Sequence, residues 1–150
     1  MEETKIYLDA NIFIYATVNT QEIGNKCRSL LKEIEIGKIK GITSCLTFDE
    51  IIWILRKIAP EKVLESARNI LNLNIKFMEV NKNILYKLVD LIEKYKLKPR
   101  DAIHLATMEL NNCKTIISED SDFDKIPEIE RINPIKLEFF NEESENLEKK

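Results

Sequence analysis

Short apolar segments alternate with longer amphipathic segments along almost the whole chain, and this alternation limits the fold more than any other feature. Four segments of strand length are Lys5–Leu8, Gly41–Cys45, Ile75–Val80 and Lys114–Ser118. Between them, apolar residues recur three and four positions apart, which is the spacing of one helix face. Strands that alternate with helices are typical of layered α/β folds. The sequence therefore predicts a three-layer α/β/α sandwich with a small, mostly parallel sheet.

The end of the chain adds one candidate strand and a polar tail. Ile135–Phe139 is predicted to form an edge strand, whereas residues 141–150 are almost entirely polar. A chain of 150 residues is long enough to bury a core without a second domain. We therefore expect a single domain over residues 1–140 and a flexible tail over residues 141–150.

Charge and cysteine content narrow the functional classes. The chain has 23 basic and 26 acidic residues, a formal net charge of −3, so it lacks the positive surplus of proteins that coat DNA. The three cysteines are widely separated and form no Cys-x-x-Cys pair, which disfavours a disulfide framework and a zinc site. No segment reaches the run of about 18 apolar residues that a membrane span requires. We therefore expect a cytoplasmic protein without a membrane contact.

Four acidic residues lie where the predicted elements begin or end. Asp9 and Asp120 each follow a predicted strand, and Asp101 lies in the first turn of a later helix. Glu50 lies in the first turn of the helix that Thr47 is predicted to open. Ligands of open α/β sheets bind at the carboxyl ends of the strands, because loops and helix N-termini converge there. We therefore expect these carboxylates to approach one another.

Such a cluster of carboxylates favours a divalent metal site. Carboxylates that are brought together repel one another unless a cation neutralises them. Hard oxygen ligands in this number suit Mg²⁺ or Mn²⁺. A pair of such ions activates water and stabilises the leaving oxygen in phosphodiester hydrolysis. The acidic residues therefore favour a divalent metal site of a kind that suits phosphodiester hydrolysis.

Each acid also has a purely structural interpretation. Asp9 is placed to cap the helix that follows it. Thr47 and Glu50 have the T-x-x-E spacing of a capping box, in which Glu50 would bond the backbone of Thr47. Asp101 complements the dipole of its helix. The acidic run that begins at Asp120 contains three acids in five residues, and we expect Asp124 to take no part in metal binding.

The basic residues and the single histidine leave alternatives open. His104 is the only histidine, so a site built from several histidines is excluded. It lies three residues after Asp101 and is placed either to bond that acid or to pack in the interior. Arg56, Lys57 and Arg100 follow or flank two of the acids and are candidates for contacting phosphates. Solvated surface charge is the simpler explanation of these three.

Four segments resemble, in order, the four motifs of PIN-domain proteins. These segments are Tyr7–Ile12, Phe48–Ile51, Pro99–Ala106 and Ile117–Phe123. The resemblance spans about residues 4–126, and the Arg-Asp-Ala-Ile-His-Leu-Ala run and the acidic corner before Phe123 are its most specific parts. It implies a small parallel sheet flanked by helices. It also implies a metal-dependent ribonuclease, and many such proteins are toxins of toxin–antitoxin pairs.

The resemblance assigns roles to particular residues. The acids that it implicates in metal binding or catalysis are Asp9, Glu50, Asp101 and Asp120, with Asp122 as a further or substitute ligand. Asn11 and Ser118 match polar positions that hold the acids in place, and Glu119 is an additional acid outside the pattern. The partners that it implies are an RNA substrate, an antitoxin protein and a second copy of the chain in a homodimer.

Our working hypothesis combines these observations. Asp9, Asp101 and either Asp120 or Asp122 hold one or two Mg²⁺ or Mn²⁺ ions, while Glu50 orients the water that attacks an RNA phosphodiester. The alternative is a module that binds nucleic acid or protein without catalysis and keeps the acids for folding or partner contact. The acidic isoelectric point of about 5.4 favours this alternative, because RNA affinity depends on basic residues.

Overall fold

Strands and helices alternate through residues 5–139, which are the residues that this computed structural model describes. The strands are β1 (Lys5–Leu8), β2 (Lys40–Ser44), β3 (Ile75–Met78), β4 (Thr115–Ile117) and β5 (Glu130–Ile132). The helices are α1 (Ala10–Val18), α2 (Glu22–Glu35), α3 (Cys45–Ile58), α4 (Val63–Leu71), α5 (Lys82–Tyr95) and α6 (Pro99–Leu110). Short 3₁₀ turns occupy Pro60–Lys62, Ser121–Lys125 and Pro134–Lys136. None of the helices within residues 5–139 is both long and apolar enough to cross a membrane.

The five strands form one parallel sheet in the order β3-β2-β1-β4-β5. Strands β2 and β3 lie in order on one side of β1, whereas β4 and β5 lie on its other side. The strand order therefore reverses between β1 and β4. At the carboxyl edge there, the backbone N–H of Asp9 donates to the carbonyl oxygen of Ile117 at 3.2 Å. The crevice at such a reversal is the usual ligand site of an open parallel sheet.

Helices cover both faces of the sheet because side chains alternate along each strand. Ile6 and Leu8 of β1 belong to a core that includes residues of α1, α2, α3 and α4. Tyr7, which lies between them, belongs to a second core with residues of α5 and α6. The predicted three-layer α/β/α sandwich is confirmed, and the sheet is parallel throughout residues 5–139.

The prediction for the last strand is wrong. Glu130–Ile132 forms the edge strand β5, whereas the expected strand at Ile135–Phe139 begins inside a 3₁₀ turn. Pro134 starts this turn, and its ring nitrogen has no hydrogen to donate to a neighbouring strand. The side chain of Asn133 caps the turn by accepting from the N–H of Ile135 at 3.1 Å. The predicted tail over residues 141–150 lies outside the described residues.

The packing of α3 gives a direct test of the core. Leu55 is completely buried against the first core, whereas Ile58 on the same helix is 55% exposed. We expect Leu55→Ala to lower the free energy of unfolding by about 2–5 kcal/mol, because it leaves a cavity. The matched variant Ile58→Ala should change it by no more than about 0.5 kcal/mol. Urea unfolding measures both, and equal losses would contradict this description of the core.

Candidate metal centre

The predicted acids converge at the carboxyl edge of the sheet, where the strand order reverses between β1 and β4. Asp9 directly follows β1, and Asp120 lies in the turn after β4. Asp101 is in the first turn of α6, and Glu50 lies within α3. A cleft of about 490 Å³ opens there, and its lining residues are Glu50, Lys98, Pro99, Arg100, Asp101 and Asp120. Elements that are far apart in the sequence therefore contribute side chains to one site.

Asp101, Asp120 and Asp122 form the tightest group of acids. One carboxylate oxygen of each lies within 4.8 Å of the others, and all three side chains are partly exposed. Partial burial raises the pKa of Asp101, and the negative charges of Asp120, Asp9 and Asp122 raise it further. A group of oxygen ligands with this excess of negative charge fits the requirements of Mg²⁺ or Mn²⁺.

Asp9 both caps a helix and contributes charge to this site. One of its oxygens accepts from the N–H of Ala10 at 2.7 Å, so the predicted capping role is real. The other oxygen accepts from the hydroxyl of Ser118. Burial raises the pKa of Asp9, whereas the His104 imidazole and these hydrogen bonds act in the opposite direction. Capping and proximity to the other acids are therefore compatible at this position.

Ser118 and Asn11 are the two polar residues that the sequence motifs predicted to hold the acids in place, and both contact Asp9. The hydroxyl of Ser118 donates to Asp9 and accepts from the backbone N–H of Asp120 at 3.0 Å. The side-chain nitrogen of Asn11 lies 3.4 Å from an oxygen of Asp9 and 3.5 Å from the hydroxyl of Ser118. One hydroxyl thus connects the acid after β1 to the acidic turn after β4.

Glu50 does not belong to a capping box, so that structural interpretation is wrong. Helix α3 begins at Cys45, two residues before the expected start, because Ser44 caps it. The hydroxyl of Ser44 accepts from the N–H of Leu46 at 3.1 Å, and the backbone N–H of Ser44 donates to the hydroxyl of Thr47 at 3.4 Å. Glu50 therefore lies beyond the first turn, where its carboxylate reaches the cleft.

His104 bonds Glu50 rather than Asp101. The imidazole is 1% exposed, and its Nε2 lies 2.7 Å from Oε1 of Glu50. Its Nδ1 lies 2.6 Å from the hydroxyl oxygen of Tyr7, which is completely buried. Burial raises the pKa of Tyr7 well above its ordinary value. Sequence reasoning missed Tyr7, and the only available signal was a polar hydroxyl in an otherwise apolar stretch of β1.

Two acids next to the cluster, Glu119 and Asp124, form hydrogen bonds with side chains outside it. The hydroxyl of Tyr15 donates to the carboxylate of Glu119, and this bond raises the pKa of Tyr15 to about 12. The guanidinium of Arg131 donates to both carboxylate oxygens of Asp124 at 2.8 and 2.9 Å, which lowers the pKa of that acid. Glu119 and Asp124 are therefore occupied by partners of their own, as expected for Asp124.

The predicted basic residues divide into two groups. Arg100 lines the cleft together with Lys98, the other basic residue that flanks Asp101 in the sequence. Arg56 and Lys57 lie over the ring of Trp53, at 5.4 and 4.6 Å from its centroid. Neither of them is among the residues that line the cleft. The structure thus brings Arg100 to the acids and leaves Arg56 and Lys57 on a separate surface of α3.

Comparisons with known proteins agree with this architecture. The PIN domain family model matches residues 6–129. Ribonuclease VapC2 of Methanocaldococcus jannaschii is 27% identical to this chain over an alignment 153 positions long, which covers 88% of this chain and 95% of that protein.

Two solved structures share the fold. A toxin-antitoxin complex from Klebsiella pneumoniae contains a chain with a TM-score of 0.65 and 24% identity, covering 86% of this chain and 97% of that one. The sarcin-ricin loop cleaving toxin VapC20 of Mycobacterium tuberculosis has a TM-score of 0.68 and 13% identity, covering 81% and 95%. The residues that the family model matches include Asp9, Glu50, Asp101 and Asp120. The chain belongs to the PIN domain family.

Proposed function

We propose that this protein is a metal-dependent endoribonuclease that hydrolyses RNA phosphodiesters and acts as the toxin of a toxin–antitoxin pair. The observation that carries the proposal is the group of three carboxylates within 4.8 Å, two of which line a cleft that Glu50 also lines. Membership of the PIN domain family and similarity to Ribonuclease VapC2 support the ribonuclease activity. The toxin-antitoxin complex with the same fold supports an antitoxin partner. A homodimer and a cytoplasmic location stay predictions.

The proposed metal ligands are Asp9, Asp101 and Asp120, with Asp122 as an additional one. Asp120 lines the cleft, and its side chain is fixed because it accepts from the N–H of Asp122 at 2.9 Å. Asp122 lies 3.9 Å from the ammonium group of Lys98, which partly offsets its charge. These differences support Asp120 as the principal fourth acid. A bound Mg²⁺ or Mn²⁺ ion supplies positive charge that stabilises the leaving oxygen.

The other side chains of the cleft have distinct proposed roles. Glu50 orients the attacking water and accepts its proton, because it is the cleft acid that a neighbouring imidazole holds in place. Arg100 and Lys98 contact RNA phosphates at the rim, where their charges meet the backbone. Arg56 and Lys57 contact RNA only if the substrate extends along α3. Direct attack by water requires no covalent intermediate on the protein.

Cleavage of RNA tests the activity. We expect the wild-type protein to cut a panel of RNAs with Mg²⁺ or Mn²⁺ and to stop when EDTA is added. Asp101→Asn should reduce the rate by about 100-fold or more, because it removes a charge that binds the metal. The control Asp90→Asn replaces an exposed acid of α5 and should match the wild type.

Activity that persists in EDTA and in Asp101→Asn would refute the metal-dependent mechanism. A protein that binds RNA in EDTA but never cleaves it would instead be the non-catalytic module that the sequence left open. Gel electrophoresis of labelled RNA separates the two results, since binding changes mobility and cleavage changes length.

Stability in the absence of metal tests the free-energy cost of holding buried and partly buried acids close together. The pKa values of Asp9 and Asp101 are raised in the folded protein, so the folded state binds more protons than the unfolded state. Their unfavourable contribution is therefore present at neutral pH and is lost as the pH falls. We expect the stability advantage of Asp101→Asn over the wild type in EDTA to shrink as the pH falls from 7 toward the ordinary pKa of an aspartic acid, about 3.9. Thermal unfolding measures this advantage, and one that does not change with pH would contradict the cost of the charged acids.

Growth of a bacterial host tests the toxin assignment. Expression of the wild-type chain is expected to arrest growth, because an uncontrolled ribonuclease degrades RNA that the cell needs. Asp101→Asn, expressed to the same level, should not arrest growth. Equal growth with both chains, at equal amounts of folded protein, would count against a toxin.

A further inference from the structure

A line of three hydrogen-bonded side chains runs from the interior to the cleft. The hydroxyl of Tyr7 lies 2.6 Å from Nδ1 of His104, and Nε2 of His104 lies 2.7 Å from Oε1 of Glu50. The three residues come from β1, α6 and α3. Tyr7 and His104 are 0% and 1% exposed, whereas Glu50 reaches the lining of the cleft. Solvent therefore meets this line only at its carboxylate end.

The outer end of the line determines where one hydrogen lies. The hydroxyl oxygen of Tyr7 lies within hydrogen-bond distance of Nδ1, at 2.6 Å, and holds the ring at its inner end. A carboxylate only accepts, so Nε2 of His104 must carry the hydrogen that bonds Glu50. An edge-to-face contact between the rings of Tyr7 and His104, with centroids 5.5 Å apart, adds to the orientation of the imidazole.

We propose that His104, itself oriented by Tyr7, is a positioning residue for Glu50, an inference that rests on the proposed ribonuclease function. The bond from Nε2 fixes Oε1 of Glu50 and leaves Oε2 for the attacking water. His104 has no contact with RNA in this scheme and acts only through the carboxylate. Tyr7 acts one step further away, by holding Nδ1.

The bond to His104 limits the conformational freedom of the Glu50 side chain before RNA binds. The side chain of Glu has several rotatable bonds, and fixing it during the reaction would cost conformational entropy. The bond to a buried imidazole fixes the carboxylate when the protein folds, before RNA arrives. Hydrogen-bond partners of this kind commonly change metal affinity or activity by about 10–100-fold when they are removed.

Interior packing alone does not account for the geometry. An apolar side chain would fill the same space, and it would need no partner at either end. Both ring nitrogens of His104 instead have a polar partner within 2.7 Å, and one of these partners is an acid of the cleft.

Steady-state kinetics of three variants test the proposal. His104→Leu should lower kcat by about tenfold or more and leave KM within about twofold, because the RNA contacts are unchanged. His104→Gln keeps a nitrogen donor and should recover part of the loss. Tyr7→Phe should lower kcat by less than His104→Leu. The control Tyr86→Phe alters a tyrosine of α5 that is 66% exposed and should match the wild type.

A double-mutant cycle separates positioning from packing. Because His104 acts through Glu50, adding His104→Leu to Glu50→Gln should cost no more than about twofold beyond Glu50→Gln alone. Losses that multiply in the double variant would overturn the proposal, and so would a folded His104→Leu variant with wild-type kcat. Circular dichroism verifies that each variant is folded.

The single histidine permits a test that needs neither metal nor RNA. All imidazole signals in a nitrogen-15 NMR spectrum belong to His104, because the chain has no other histidine. We expect Nε2 to carry a hydrogen at neutral pH and the signal of Nδ1 to shift in Tyr7→Phe. A spectrum in which Nε2 lacks a hydrogen would overturn the inference even if the chain cleaves RNA. Conversely, a wild-type protein that cleaves no RNA refutes the proposed function, whatever this spectrum shows.

Discussion

Mutual repulsion of carboxylates at one edge of the sheet is the constraint around which this site is built. Asp9, Asp101 and Asp120 are each held there by a partial positive charge from the backbone or by a hydroxyl. Asp9 caps α1 and accepts from Ser118, and Asp120 accepts from the backbone N–H of Asp122. Asp101 lies in the first turn of α6, where the helix dipole favours negative charge. These contacts hold the acids together without neutralising them, so the site keeps an excess of negative charge.

The strand order explains how acids so far apart in the chain become neighbours. Because β1 lies between β2 and β4, the residues that follow β1 and β4 meet at the same edge. The hydroxyl of Ser118 then reaches Asp9 across 109 positions of sequence. Helices α3 and α6 add Glu50 and Asp101 from opposite faces of the sheet. A parallel sheet with one reversal is therefore sufficient to assemble the whole site.

Sequence reasoning succeeded where the signal was local or periodic. Helical spacing and short apolar runs predicted the layered fold, and acids at the ends of strands predicted the cleft. It failed at β5, where Glu130 and Arg131 hide the apolar alternation, and at α3, where Ser44 and Thr47 are both plausible caps. The contacts of His104 were not predictable, since its partners lie 97 and 54 positions away and no spacing rule connects them.

The bond between His104 and Glu50 has a mechanical consequence. Helix α3 packs with one helical layer and α6 with the other, so this bond spans the two layers beyond the edge of the sheet. The carboxylate of Glu50 is therefore anchored to both helical layers, through its own helix α3 and through the imidazole on α6.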